Sequence, residues 1–223
     1  MVSPPESSTR RFPTVLVTGF EPFGPDKINP SWMAVQALHG RLVGDHRIVG
    51  AQLPTVFGRS AQVLRELLHR HHPDLVICTG QAGGRIALSL ERVAINVEDA
   101  RIPDNAGEQP VDRPVAPGGP AAYFTTLPIK AMLSALLEQG VNAEVSQTAG
   151  TFVCNHVFYA LMHELATRSD LGHARGGFIH VPWLAGQGQP SMRLDEIVAG
   201  LKIAIECALV TVTDIHREAG ALS

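Results

Sequence analysis

Nowhere in the 223-residue sequence do apolar side chains run for the ~18–20 positions that a membrane-spanning helix needs. Nor is there a basic run. With 18 basic residues against 21 acidic ones and a formal charge of −3, nothing offers the clustered cations that a nucleic-acid backbone demands. Cysteine is scarce. The three present, Cys78, Cys154 and Cys207, are odd in number, scattered and without a CxxC spacing. That excludes a disulfide framework and argues against a zinc knuckle or a thioredoxin-type pair. Free thiols fit a reducing compartment, so a cytoplasmic protein is expected. Arg10–Arg11 precede only a short apolar run of Val15, Leu16 and Val17 before Thr18–Gly19, too short for the apolar region of a signal peptide. A disordered tail over 1–13 and a single catalytic domain over 14–223 are expected. Charged residues make up 17% and apolar ones 45%, a balance that excludes a disordered chain and can bury a substantial core.

What is present is an alternation of short β-branched runs with longer helical patterns. Strands are expected over 15–20, 47–53, 74–78, 92–97, 143–147 and 177–181. Helices are expected over 31–38, 59–69, 128–138, 155–167 and 192–215. In the fourth of these, Phe158, Leu161, Met162 and Leu165 recur at helical spacing on one face. The order predicts an α/β fold, a single-domain α/β/α sandwich around an open, twisted, largely parallel sheet. The longest irregular stretch, 102–121, is rich in Pro and Gly, and loops of that length in compact domains are usually functional.

Candidate chemistry begins with the cysteines. Cys78 lies in a continuous apolar strand and Cys207 inside a helical pattern, where a thiol behaves as a small hydrophobe. Cys154 follows the small-residue turn Thr148-Ala149-Gly150-Thr151 and precedes the helix expected from Asn155, which puts its sulfur at a helix N-terminus. The helix dipole and free N–H groups there favour a thiolate and can hold an oxyanion. A thiolate nucleophile needs an imidazole. Of ten histidines, His69, His71 and His72 suit a solvated helix end, and His156 points away from the sulfur on the same helix. His163 reads as surface. His180 ends a buried strand at the sheet edge where open α/β folds place their sites, although a core histidine satisfied by backbone is the bland alternative. Glu91, a lone carboxylate in an apolar stretch, could orient that imidazole or simply pair with Arg85 or Arg92, and Asp104 is its rival. Gly80-Gln81-Ala82-Gly83-Gly84-Arg85 follows a strand but matches neither dinucleotide nor P-loop spacing.

Several blocks, in one order, carry a resemblance: TGFEPFG at 18–24, NPSW at 29–32, PTVF at 54–57, GQAGGR at 80–85, ERVAIN at 91–96, ARIPDNAG at 100–107, GGPAA at 118–122, GTFVCNH at 150–156 and GGFIHVP at 176–182. From residue 15 to about 208 the chain resembles the pyroglutamyl peptidases, a family of cysteine peptidases, with departures before Thr14, at 97–99 and at 185–190. The resemblance implies a cysteine exopeptidase that removes an N-terminal pyroglutamyl residue, with Glu91, Cys154 and His180 as catalytic residues. It implies a substrate pocket of Phe20, Phe23, Thr55, Gln81, Ile102, Phe152 and Val153, with Arg101 beside the Cys154 backbone N–H at the oxyanion. It also implies no cofactor, no metal, pyroglutamyl peptides as substrate and a homotetramer. No nucleic-acid or membrane partner is expected. A nucleoside phosphorylase-like enzyme with phosphate on GQAGGR is the alternative, and a binding module with Cys154 in the core is another.

Overall fold

The computed structural model describes residues 13–220, so the expected N-terminal tail lies, apart from Pro13, outside the described residues. The chain runs β1 (Thr14–Phe20), α1 (Pro30–Leu38), β2 (Leu42–Val43), β3 (His46–Leu53), α2 (Arg59–His71), β4 (Leu75–Gln81), β5 (Leu88–Glu91), β6 (Val93–Ile95) and β7 (Ala122–Phe124). It continues through α3 (Ile129–Glu138), β8 (Ala143–Ser146), α4 (Val153–Thr167), a 3₁₀ turn (Ser169–Leu171), β9 (Arg175–Val181) and α5 (Leu194–Val210).

Seven strands form one sheet in the order β2-β3-β1-β4-β9-β5-β8. The pairs β3–β1, β1–β4, β4–β9 and β5–β8 are parallel, and β2–β3 and β9–β5 are antiparallel. This is the expected largely parallel α/β sheet. Because strand side chains alternate with period two, each strand feeds two cores. Val15 and Val17 of β1 and Leu75 and Ile77 of β4 pack with α1, α3 and α5 on one face. Leu16, Val76, Cys78 and Phe178 pack with α2 and α4 on the other. Both faces of the central strands β1, β4 and β9 are therefore dry, and these strands read as nearly continuous apolar runs.

Four departures from the expected elements bear on the site. β4 continues past Cys78 to Gln81, because Gly80 and Gln81 keep their pairing with His180 and Val181. The strand expected over 92–97 is shortened to β6, which pairs with β7 in a separate two-stranded sheet, while the unforeseen β5 just before it joins the main sheet. The break falls at Arg92, whose N–H and C=O bond to Ser146 and Thr125 instead of continuing one strand. α4 starts at Val153, two residues earlier than expected, so Cys154 lies inside its first turn. α5 stops at Val210, well short of 215, because the Arg175 guanidinium takes the carbonyls of Ala208 and Thr211. The chain then turns back, and Asp214 caps the N-terminus of α3 through the N–H groups of Lys130 and Ala131.

Candidate active site

The turn before α4 is built for a close approach. Gly150 has φ of +76°, a left-handed conformation that residues with a Cβ avoid, and it redirects the chain into the helix. Asn155, buried one residue past Cys154, grips β6 by accepting from the N–H of Ile95 and donating to the carbonyls of Ile95 and Val97. The helix start is thereby locked to the segment that follows Glu91. Its sulfur comes down onto β4. A Cβ placed on Gly80 would lie 2.7 Å from Cys154 Sγ, so only glycine leaves the nucleophile room. Gly80 is the register partner of His180 on β9, and paired strands lie about 4.8 Å apart. Cys154 thus sits over the sheet beside the imidazole.

His180 and Glu91 come from neighbouring antiparallel strands and point to the same sheet face as Cys78 and Phe178. His180 Nδ1 lies 2.7 Å from Glu91 Oε1. Arg85 Nη1 donates to that same oxygen at 2.7 Å, and Nη2 donates to the Thr148 carbonyl at 3.0 Å. With Nδ1–H committed to the carboxylate, Nε2 is left as the basic nitrogen. Burial pushes the Cys154 thiol up to about 12, with the Glu91 charge adding to the rise and that of Arg85 opposing it. Burial also drives His180 below its ordinary value, against the hydrogen bond and charge of Glu91 and with help from Arg85. Burial thus opposes the thiolate that the helix N-terminus was expected to favour.

A second buried pair begins two residues further along α4. His156 Nδ1 is 2.6 Å from Glu98 Oε1, and its Nε2 accepts from the Gly58 N–H at 3.2 Å. Arg113 closes on the other Glu98 oxygen at 2.6 Å. Burial alone would raise the Glu98 carboxyl, but His156 and Arg113 hold it below its ordinary value. His156 is thus occupied, as its direction on the helix implied. Asp104, the rival to Glu91, is occupied too: it accepts from the backbone N–H groups of Phe57, Ala106 and Glu108.

Cys154 and His180 open into a cavity of about 210 Å³. Phe20, Phe23 and Phe152 supply its aromatic walls, and the Phe23 and Phe152 rings lie 6.0 Å apart at 42°. Phe57 buttresses Phe152 edge-on from behind. Gln81 reaches the cavity from the end of β4, its amide held by Asp26 and Gln187. Among the described residues, no group of three or more His, Cys, Asp and Glu side chains could hold a metal ion.

The family pattern described as "Pyroglutamyl peptidase" matches residues 13–211. The chain belongs to this family. It is 60% identical over 215 residues to the pyrrolidone-carboxylate peptidase 1 of Ralstonia nicotianae, covering 94% of this chain and 99% of that one. The fold is similar to the crystal structure of pyroglutamyl peptidase I from Bacillus amyloliquefaciens, with a TM-score of 0.90 at 50% identity over 93% of this chain and 100% of that one. A variant of the pyrrolidone carboxyl peptidase of Pyrococcus furiosus superposes with a TM-score of 0.84 at 45% identity, over 88% and 98% of the two chains.

The nucleoside phosphorylase-like alternative finds no support beside this pyroglutamyl peptidase membership. Its phosphate loop would also need the Arg85 cation that Glu91 already holds. Of the residues the resemblance nominated, Phe20, Phe23, Thr55, Gln81, Phe152 and Val153 line the cavity. Arg101 and Ile102 do not. Both are exposed on the loop after Ala100, with Ile102 46% accessible. The sequence offered Arg85 as a plain ion-pair partner of Glu91 or as the end of a phosphate loop, yet it lines the cavity beside Cys154 and His180. The signal for it was a cation closing a Gly-rich turn six residues before a lone carboxylate.

Proposed function

We propose that the chain hydrolyses the amide bond after an N-terminal pyroglutamyl residue, with Cys154 as nucleophile, His180 as proton carrier and Glu91 as the anchor of that imidazole. The observation that carries this reading is the meeting of Cys154 and His180 at a small aromatic cavity, with His180 held by buried Glu91. At about 210 Å³ the cavity is below the ~300–1,000 Å³ of pockets for drug-sized ligands, which suits a single residue-sized ring. A lactam is flat and neutral, so Phe20, Phe23 and Phe152 can enclose it while Gln81 and Thr55 offer polar contacts. Arg101 and Ile102 are assigned contacts with the substrate outside the cavity proper.

In the first half-reaction Cys154 Sγ attacks the pyroglutamyl carbonyl carbon as its proton passes to His180 Nε2. The carbonyl electron pair moves onto oxygen, and the Cys154 backbone N–H at the head of α4 receives the oxyanion. Collapse breaks the C–N bond, and His180 returns the proton to the leaving amine. Water, deprotonated by the same nitrogen, then releases the thioester and restores the thiol.

Specificity tests the pocket. Glutaminyl and glutamyl N-termini would bring an ammonium against Phe20 and Phe23, and an unpaired buried charge costs several kcal/mol. A pyroglutamyl fluorogenic amide should therefore exceed its glutaminyl counterpart in kcat/KM by at least ~10²-fold. Equal values would rule the pocket out.

The same reading makes the enzyme a cytoplasmic homo-oligomer, a tetramer by resemblance. Its three free cysteines support a reducing compartment. Sedimentation of activity from the cytoplasmic fraction should find a tetramer. A monomeric or exported activity would overturn this part.

A further inference from the structure

Glu91 is fully buried, and its two oxygens are used unequally. Oε1 takes both His180 Nδ1 and Arg85 Nη1, while Oε2 is buried without a hydrogen-bond partner among the described residues. Guanidinium and imidazole thus meet on a single oxygen, so Arg85 helps to set where that oxygen lies relative to His180. Arg85 is a quarter exposed, and its terminal nitrogens divide between buried Glu91 and the carbonyl of exposed Thr148. Thr148 stands just before Gly150, in the turn that delivers Cys154.

Resting on the reading of Glu91, His180 and Cys154 given above, we propose that Arg85 is a positioning residue that fixes Glu91 against His180 and ties both to the turn before the nucleophile. It touches no reacting atom. Its planar fork spans two acceptors that the shorter reach of a single ammonium cannot hold in one plane.

The guanidinium also acts at a distance. The charged groups that act on His180 are Glu91 of β5 and Arg85, and those that act on Cys154 are Glu91, Arg85 and Cys78 of β4, with Cys154 and His180 both lining the cavity. Glu144 of β8 is engaged with Ser89, and Asp26 with Gln81. Against Glu91, the Arg85 charge opposes protonation of His180 and favours ionisation of Cys154. Both influences lower the pH at which the pair becomes competent. Removing the charge therefore moves the acid limb of the pH–rate profile upward, whichever group governs that limb.

The test compares Arg85→Gln and Arg85→Lys with the parent enzyme, using kcat and KM on a pyroglutamyl amide across pH. The rate of iodoacetamide modification of Cys154 is followed in parallel. In Arg85→Gln, kcat should fall about 10–10²-fold at nearly constant KM. Both the acid limb and the alkylation profile should move up by about one pH unit. Arg85→Lys keeps the charge and should restore the limb while kcat stays about tenfold low. Parent kcat with an unmoved limb in Arg85→Gln overturns the proposal. If that variant does not fold, parent kcat in Arg85→Lys overturns it equally. Alkylation needs no substrate, so an enzyme inactive on pyroglutamyl amides would refute the proposed function while the alkylation profiles still judged Arg85.

Discussion

Cys154→Ser should lose at least ~10³-fold in kcat while its melting curve stays close to that of the parent. Serine keeps the buried shape above Gly80 but draws the nucleophilic atom back and replaces a thiol with a far weaker acid. The enclosure that already pushes the thiol up to about 12 would weigh on a hydroxyl as well, and His180, lowered by that same burial, is a poor base for so weak an acid. Cys207→Ser, at a half-buried helix position, should retain activity. Cys78→Ser should retain it too, at some cost in stability, because Cys78 is fully buried among apolar side chains. Wild-type turnover in Cys154→Ser would sink the mechanism.

The second large effect separates the imidazole from its anchor. His180→Ala should cost about 10²–10⁴-fold, the range that a general acid–base contributes, because no other histidine lines the cavity with the sulfur. His156, the nearest along the chain, is committed to Glu98 and Gly58. Glu91→Gln should cost less, about 10–10³-fold, against the ~10⁴ seen when the acid of a comparable serine triad becomes an amide. The geometry makes this a clean substitution. The amide oxygen can keep both bonds now made by Oε1, and the amide nitrogen falls where Oε2 has no partner, so charge is lost and hydrogen bonding to His180 is kept. Measuring kcat and the melting temperature on one preparation separates the roles. A lower melting temperature with unchanged kcat would reduce Glu91 to an ion-pair partner of Arg85. Asp104 would not then replace it, since backbone donors saturate that carboxylate.

The sheet was legible where burial was two-sided. β1, β4 and β9 lie in the middle of the sheet, so their sequences are near-continuous apolar runs bounded by turns, each expected within about three residues of where it falls. β5 was hidden because Leu88–Glu91 runs into β6 without a Gly or Pro between them, and the break at Arg92 is made by bonds to Ser146 and Thr125. The end of α5 was hidden for a similar reason, since the Arg175 side chain that stops it comes from β9. At the site, position alone singled out Cys154, and a polar residue ending an apolar strand singled out His180. What the sequence could not display was competition for one atom: nothing in a string of residues says that Arg85 and His180 share a single oxygen of Glu91. Nor did the blocks around Ala100 reveal that Arg101 and Ile102 would face outward.

β9, the last strand of the sheet in chain order, is inserted between β4 and β5 and pairs with both. Before it is made, the main sheet can exist only as two separate pieces, β2-β3-β1-β4 and β5-β8, with a strand-wide gap between them. His180 lies on that strand. A partly synthesised chain therefore holds its thiol and its carboxylate but has neither the base nor the seam that joins them. Such long-range pairing forms late and slowly. Hydrolytic competence therefore waits on the closing of the sheet, and no chain short of β9 carries the Cys154, His180 and Glu91 set together.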